Sequence, residues 1–355
     1  MKSNRVIYLD CLRVIATMAV IILHTAASQW YITPVNSLNW KILNIYDSLV
    51  RWCVPMFLMI SGVFFLDPTK NISKKDIFHK YIKRILIALI FWGLLYGFIA
   101  LFAKSFINHE KIVSYDIIKI FAKFIFGPPW YHLWFLYLII GVYMLTPIFR
   151  TFISSSKKED IEYILILFFL LGLLLPTINS ILISINQKYS INFSIVELTG
   201  YVGYYFAGYY FYKNEISKKL KYIIYLFGII SAICTILITS YLSILKGEPN
   251  EFLYSYLLPT TMFETYAIFL VFKDIFNSFN YSNKFEKTII YLSNCSFGIY
   301  LIHDFINQAY SIIGLKTTTY NPIIMVPILS VLNMVISFII ISLIRSNSLV
   351  RKYIT

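Results

Sequence analysis

Two residues with opposite chemical talents sit in the first apolar stretch of this chain, where an ordinary membrane helix would hold neither. Positions 8–29 read Y-L-D-C-L-R-V-I-A-T-M-A-V-I-I-L-H-T-A-A-S-Q, with Arg13 and His24 in an R-x10-H arrangement. On a helix that spacing separates the side chains by roughly 16 Å along the axis and leaves them nearly in line. An imidazole, with an unperturbed pKa near about 6.5, can take a proton from a hydroxyl at neutral pH or carry an acyl group as a nucleophile. A guanidinium can hold an anion by paired hydrogen bonds. A charge near the bilayer centre costs on the order of 2.5 kcal/mol or more, so the pair marks a functional site. Simpler roles stay open for each alone: Arg13 can snorkel to the head groups or pair with Asp10 at i,i+3, and His24 can bond a neighbouring helix.

Other polar residues at depth are few. Arg51 opens R-W-C-V-P-M-F-L-M-I-S-G, where Pro55 predicts a bend and Gly62 a close helix approach. Arg51 itself either snorkels or lines a cavity. His132, in Y-H-L-W-F-L-Y, is an interface anchor or shares an outer cavity with His24. Glu264 falls midway through its span, Glu197 near the outer end of another, and His303 and Asp304 lie deep in S-N-C-S-F-G-I-Y-L-I-H-D-F, with Ser293 and Ser296 near its inner end. Arg84 and Arg150 are ordinary positive-inside residues by default, and their guanidiniums can also bind phosphate. The run 201–212 interleaves Gly203, Ala207 and Gly208 with tyrosines, which favours tight helix packing over a tyrosine-lined groove. Cys11, Cys53, Cys234 and Cys295 stand singly, without zinc or disulfide spacing, and no metal site is expected.

The elements that must position these groups are membrane helices. The chain is 355 residues long, 59% hydrophobic and only 14% charged, with a mean hydropathy of +0.71, far more apolar surface than one soluble core could hide. Ten spans are predicted, at 8–29, 45–66, 82–103, 132–149, 161–182, 195–212, 222–243, 253–272, 288–312 and 323–344. They are uniformly apolar rather than alternating, so the fold class is all-α and polytopic. Most of the 31 Lys and Arg residues fall at the N-terminus, the even-numbered turns and the C-terminus, which places both termini in the cytoplasm. The net charge of +14 follows from that topology and does not point to nucleic acid. An amphipathic piece at 115–126, ahead of Gly127-Pro128-Pro129, is expected to lie on the outer membrane surface. No appended soluble domain is seen, and 1–355 reads as a single membrane domain.

Four blocks in order carry a resemblance. These are L-D-x-L-R with Arg13 and His24, P-M-F-L-M-I-S-G at 55–62 before a basic loop, H-L-W-F-L-Y-L-I-I-G-V-Y-M-L-T-P-I at 132–148, and S-F-G-I-Y-L-I-H at 296–303. Over most of its length the chain resembles the integral membrane acyltransferases of the acyltransferase-3 type, in the branch of surface-polysaccharide O-acetyltransferases. The resemblance implies acetyl transfer from cytoplasmic acetyl-CoA to a hydroxyl of a surface polysaccharide or its lipid-linked precursor, in a bacterial plasma membrane. It carries over to Arg13 and His24 as essential residues, and to Arg84 and Arg150 as contacts for CoA phosphates. Asp10, Arg51, His132, Glu264 and His303 are then candidates for the substrate cavity. A transporter of a glycan or small amino acid, using Arg13, His24 and Glu264 as a substrate and proton pathway, is the alternative from a different class.

Overall fold

The computed structural model describes residues 5–109, 111–185, 196–278 and 281–355, apart from the side chains of 183–185, 196–198, 277–278 and 349. The Glu197 side chain therefore lies outside the described residues. Along the chain run α1 (Ile7–Trp30), α2 (Leu38–Ser48), α3 (Cys53–Phe65), the short α4 (Lys74–Asp76), α5 (Lys83–Asn108) and α6 (Ser114–Phe126). There follow α7 (Trp134–Ser155), α8 (Lys158–Phe169), α9 (Leu175–Ile185), α10 (Val196–Lys213) and α11 (Lys218–Lys246). The last are α12 (Pro259–Ser278), α13 (Asn283–Ile312), α14 (Pro322–Ile344) and α15 (Ser348–Tyr353).

The protein is an all-α polytopic membrane protein. Each of the ten predicted spans falls mainly on helix, that at 161–182 running from α8 through a π-helical turn into α9, and among the described residues nine segments are long and apolar enough to cross a bilayer. The tenth, α10, falls short because polar tyrosines replace aliphatic residues along it. One span departs from expectation. Positions 45–66 hold two helices, and the break falls at Leu49–Trp52 rather than as a bend at Pro55. Pro55 sits in the first turn of α3, where its missing N–H has no intrahelical partner to lose.

The chain divides into two compact units, Met1–Asp67 with Ser155–Ile340, and Pro68–Ser154 with Ile341–Thr355. In the first unit α1 packs against α2, α3, α12 and α13, which buries it on most sides, with Leu12, Ala16, Ile21 and Ala26 fully enclosed. Lipid tails are as apolar as leucine, so such helices are held by close packing rather than by escape from water. The tightest seam joins α3 to α10. A Cβ at Gly62 would lie 1.8 Å from the carbonyl oxygen of Tyr205, and one at Gly208 would lie 2.0 Å from that of Met59. Backbone meets backbone there, which is why small residues punctuate both sequences. At the foot of α10, buried Lys273 donates to the carbonyls of Phe211 (2.9 Å) and Asn214 (3.1 Å) and pairs with Glu215. A cation at that position satisfies the helix's open C-terminal carbonyls.

In the second unit the amphipathic helix forms as expected. It docks on α5 through two glycines: Ile120 fills the space over Gly97, and Phe124 with Pro129 that over Gly93. Ile117, Ile118, Phe121 and Ile125 remain exposed.

Candidate active site

At one end of α1 a single carboxylate gathers the polar groups. Asp10 is buried and accepts from Arg5 Nε at 2.7 Å and Arg5 Nη2 at 2.8 Å, a bidentate pair that raises the Arg5 pKa against the opposing effect of burial. It also accepts from the Ser293 hydroxyl at 2.6 Å and from Arg13 Nη1 at 3.4 Å. Arg13 Nη1 in turn donates to Ser293 Oγ at 2.9 Å, and Arg5 Nη2 to Asn294 Oδ1 at 3.1 Å. The i,i+3 pairing of Arg13 with Asp10 is therefore present, and it is one edge of a larger cluster. Arg13 stays about a third exposed, its side chain at 34%, so the guanidinium is oriented by α13 without being sealed in.

At the other end α13 meets α1 again. The His24 and His303 rings stack, with centroids 5.1 Å apart and planes inclined at 29°. His303 is fully buried, and its Nδ1 lies 2.7 Å from the Tyr300 carbonyl. A carbonyl can only accept, so Nδ1 carries the proton. The next residue, Asp304, takes a hydrogen bond from Gln308 at 2.8 Å. The two helices thus run parallel, with an Asp–Ser contact at one end and an imidazole pair at the other.

Arg51 is largely enclosed rather than snorkelling, its side chain 11% exposed. Its Nη2 pairs with Asp47 Oδ1 at 2.6 Å, its Cζ lies 3.7 Å over the Tyr254 ring, and its Nη1 donates to the Tyr254 carbonyl at 3.4 Å. Tyr254 is fixed in turn by donating to Asn44 Oδ1 at 2.6 Å and packing beside Trp30. Asp47 was missed from sequence although D-x3-R is an i,i+4 ion-pair spacing. Arg51 lies within electrostatic reach of both His24 and Glu264. Glu264 is buried on α12, with Thr235 of α11 and Tyr204 of α10 as neighbours. Tyr31, just past the end of α1 and 55% exposed as a residue, is pushed up to about 12 by partial desolvation of its hydroxyl, with Glu251 beside it.

The remaining candidates belong to the second unit. His132 is buried with its ring edge-on to Tyr96 and Tyr131, each at 5.3 Å, while Trp130 stacks on Tyr96 at 4.9 Å. Arg84 donates to the backbone oxygen of Thr355, beside the bond from Trp92 Nε1 to the Ile354 carbonyl at 2.9 Å. Arg150 donates to the Lys70 carbonyl at 2.7 Å. So Arg13, Asp10, His24, His303, Arg51 and Glu264 fall in one unit, and His132, Arg84 and Arg150 in the other. A cavity of ≈ 430 Å³ in the first unit, lined by Phe168, Phe169, Gly203, Met262, Phe263 and other apolar groups, contains none of these candidates.

An imidazole, an oriented guanidinium and a second arginine compensated by a carboxylate are groups that suit transfer to a hydroxyl. Residues 6–342 match the family described as an acyltransferase domain. No curated protein and no solved structure matches the chain.

Proposed function

The chain belongs to this acyltransferase family, and from that premise we propose that it is a membrane O-acetyltransferase. It moves an acetyl group from cytoplasmic acetyl-CoA to a hydroxyl of a surface polysaccharide or its lipid-linked precursor, in a bacterial plasma membrane with both termini inside. The observation that carries the reading is the family match together with an imidazole and an oriented guanidinium on one helix, α1.

In the proposed reaction the acceptor O–H bond breaks and its proton passes to a ring nitrogen of His24. The oxygen forms a bond to the thioester carbonyl carbon, the C–S bond breaks, and the CoA thiolate takes the proton back from the imidazolium. General base catalysis of this kind is worth about 10²–10⁴-fold. Arg13, steadied by Asp10 and Ser293, steers the anionic donor. The roughly 16 Å from Arg13 to His24 along a helix is comparable to a pantetheine arm, so a nucleotide held from the cytoplasm can present its thioester beside the imidazole. Arg84 and Arg150 are proposed as phosphate contacts because guanidiniums bind phosphate oxygens in pairs. Arg51, Glu264 and His132 are proposed to line the path of the acceptor.

The test uses purified full-length protein, radiolabelled acetyl-CoA and surface glycan from the host cell. Transfer of label to glycan, lost in His24→Ala while the protein still purifies as a folded species, supports the reading. Export of unmodified glycan by a chain that never turns over acetyl-CoA would overturn it.

A further inference from the structure

The ring stacked on His24 is held far more firmly than packing alone requires. His303 is tied by its own Nδ1 to the Tyr300 carbonyl at 2.7 Å. Its backbone carbonyl accepts from Asn333 Nδ2 at 2.9 Å, and the same amide nitrogen donates to Asn307 Oδ1 at 2.9 Å. The Ser337 hydroxyl donates to Asn333 Oδ1 at 3.0 Å, which fixes that amide from behind. Thr25, the residue after His24, donates to Asn307 Oδ1 at 3.4 Å. One network therefore runs from α1 through α13 to α14, ending on Thr25 beside His24 and on the backbone carbonyl of His303. His303 shows no exposed surface, whereas His24 is only partly buried.

We infer that His303 is the positioning residue of the reaction: its fixed, neutral ring sets the plane of the His24 imidazole and stabilises the charge that ring acquires on taking the acceptor's proton. The inference rests on His24 being the base. Two physical effects combine. A flat, immobile neighbour removes the ring rotation that would swing the reacting nitrogen off its line to the hydroxyl. The face of a neutral aromatic ring also attracts a cation that appears beside it, and it does so only once the proton has moved. With its Nδ1 proton committed to a carbonyl, His303 takes this part as the Nδ1–H tautomer, the uncharged imidazole whose Nε2 carries no proton. Two other charges lie in reach: Arg51, which opposes a cation at His24 and is itself paired with Asp47 at 2.6 Å, and the buried Asp304 carboxylate next to His303, which favours one.

An interaction made only in the transition state lowers kcat and leaves KM alone when removed. His303→Ala and His303→Phe are compared with wild type in the acetyl-transfer assay, with KM measured separately for acetyl-CoA and glycan. His303→Ala is expected to lose kcat by on the order of tenfold or more with both KM values unchanged. His303→Phe, which keeps a planar π face without ring nitrogens, is expected to recover most of that loss. If His303→Ala does not purify as a folded species, His303→Gln takes its place, since its amide can still donate to the Tyr300 carbonyl but offers no aromatic face. A wild-type kcat in the Ala or Gln variant, a rise in KM in place of the fall in kcat, or a Phe variant no better than Ala overturns the inference. His24→Ala run alongside separates the two readings. If it is inactive while His303→Ala is fully active, only the role of His303 falls; if it keeps full activity, the base assignment falls and takes this role with it.

Discussion

The hydroxyl of Ser293 donates to Asp10 across 283 residues of chain, at 2.6 Å, and the same oxygen accepts from Arg13 at 2.9 Å. That triangle makes Asp10 the residue on which the orientation of Arg13 depends. Asp10→Asn keeps the shape but removes the charge that holds two guanidiniums. The proposed acetyl transfer is expected to fall by on the order of 10²-fold, since misplacing a positioning group by about an ångström has that effect. Ser293→Ala should cost less, because Arg13 retains its contact with Asp10. Kinetics of both variants check the order, and a Ser293→Ala enzyme weaker than Asp10→Asn would refute it.

Arg51 and Asp47 form a buried pair, and removing one partner strands the other. Asp47→Ala is expected to destabilise the protein by about 3 kcal/mol or more. The double variant Asp47→Leu, Arg51→Leu should recover much of that loss. Thermal unfolding in detergent of the single and double variants measures the difference.

The α3–α10 seam tolerates no side chain at its crossing. Gly62→Val and Gly208→Val each place carbon within 2.0 Å of a backbone oxygen, so the helices must separate. Both variants should lose folded yield, whereas Gly141→Ala, which meets nothing within 4 Å, should behave as wild type. Size-exclusion profiles after mild solubilisation distinguish the two classes.

Tyr31 gives the alkaline side of the stability curve a defined sign. Its folded-state value is raised to about 12, above the usual value near about 10, so the folded state holds this proton after the unfolded chain has lost it. This group's contribution to stability therefore falls as pH rises from about 10 to about 12, by a small amount because Tyr31 is 55% exposed and screened by solvent. Tyr31→Phe should flatten that decline, and denaturation of the two proteins across this range provides the check.

Much of this arrangement was legible in the sequence. The ten apolar runs fix the helices, and R-x10-H on the first of them announces its own oddity, because only Thr17 among the ten residues between them is polar. The pairing of α1 with α13 was not legible, since it depends on which helices become neighbours. Yet a trace of it exists: Asp10 to His24 on α1 and Ser293 to His303 on α13 each place a polar group near one end and a histidine well along, and parallel helices bring like ends together. The break at Leu49–Trp52 escaped because no proline or glycine marks it. Its cause is tertiary, and the Arg51 that it releases is caught by Asp47 and Tyr254.

The Asp10 cluster also bears on how the protein is made. Its first span emerges from the ribosome carrying Asp10 and Arg13, but Ser293 and Asn294, which complete their hydrogen bonding, are synthesised hundreds of residues later. Until then the leading helix is a poor guest in lipid, and it must be sheltered at the insertion machinery or by its early neighbours. Chains stopped before α13 keep only the Arg5 and Arg13 partners of Asp10 and should give a lower folded yield in detergent than the full chain.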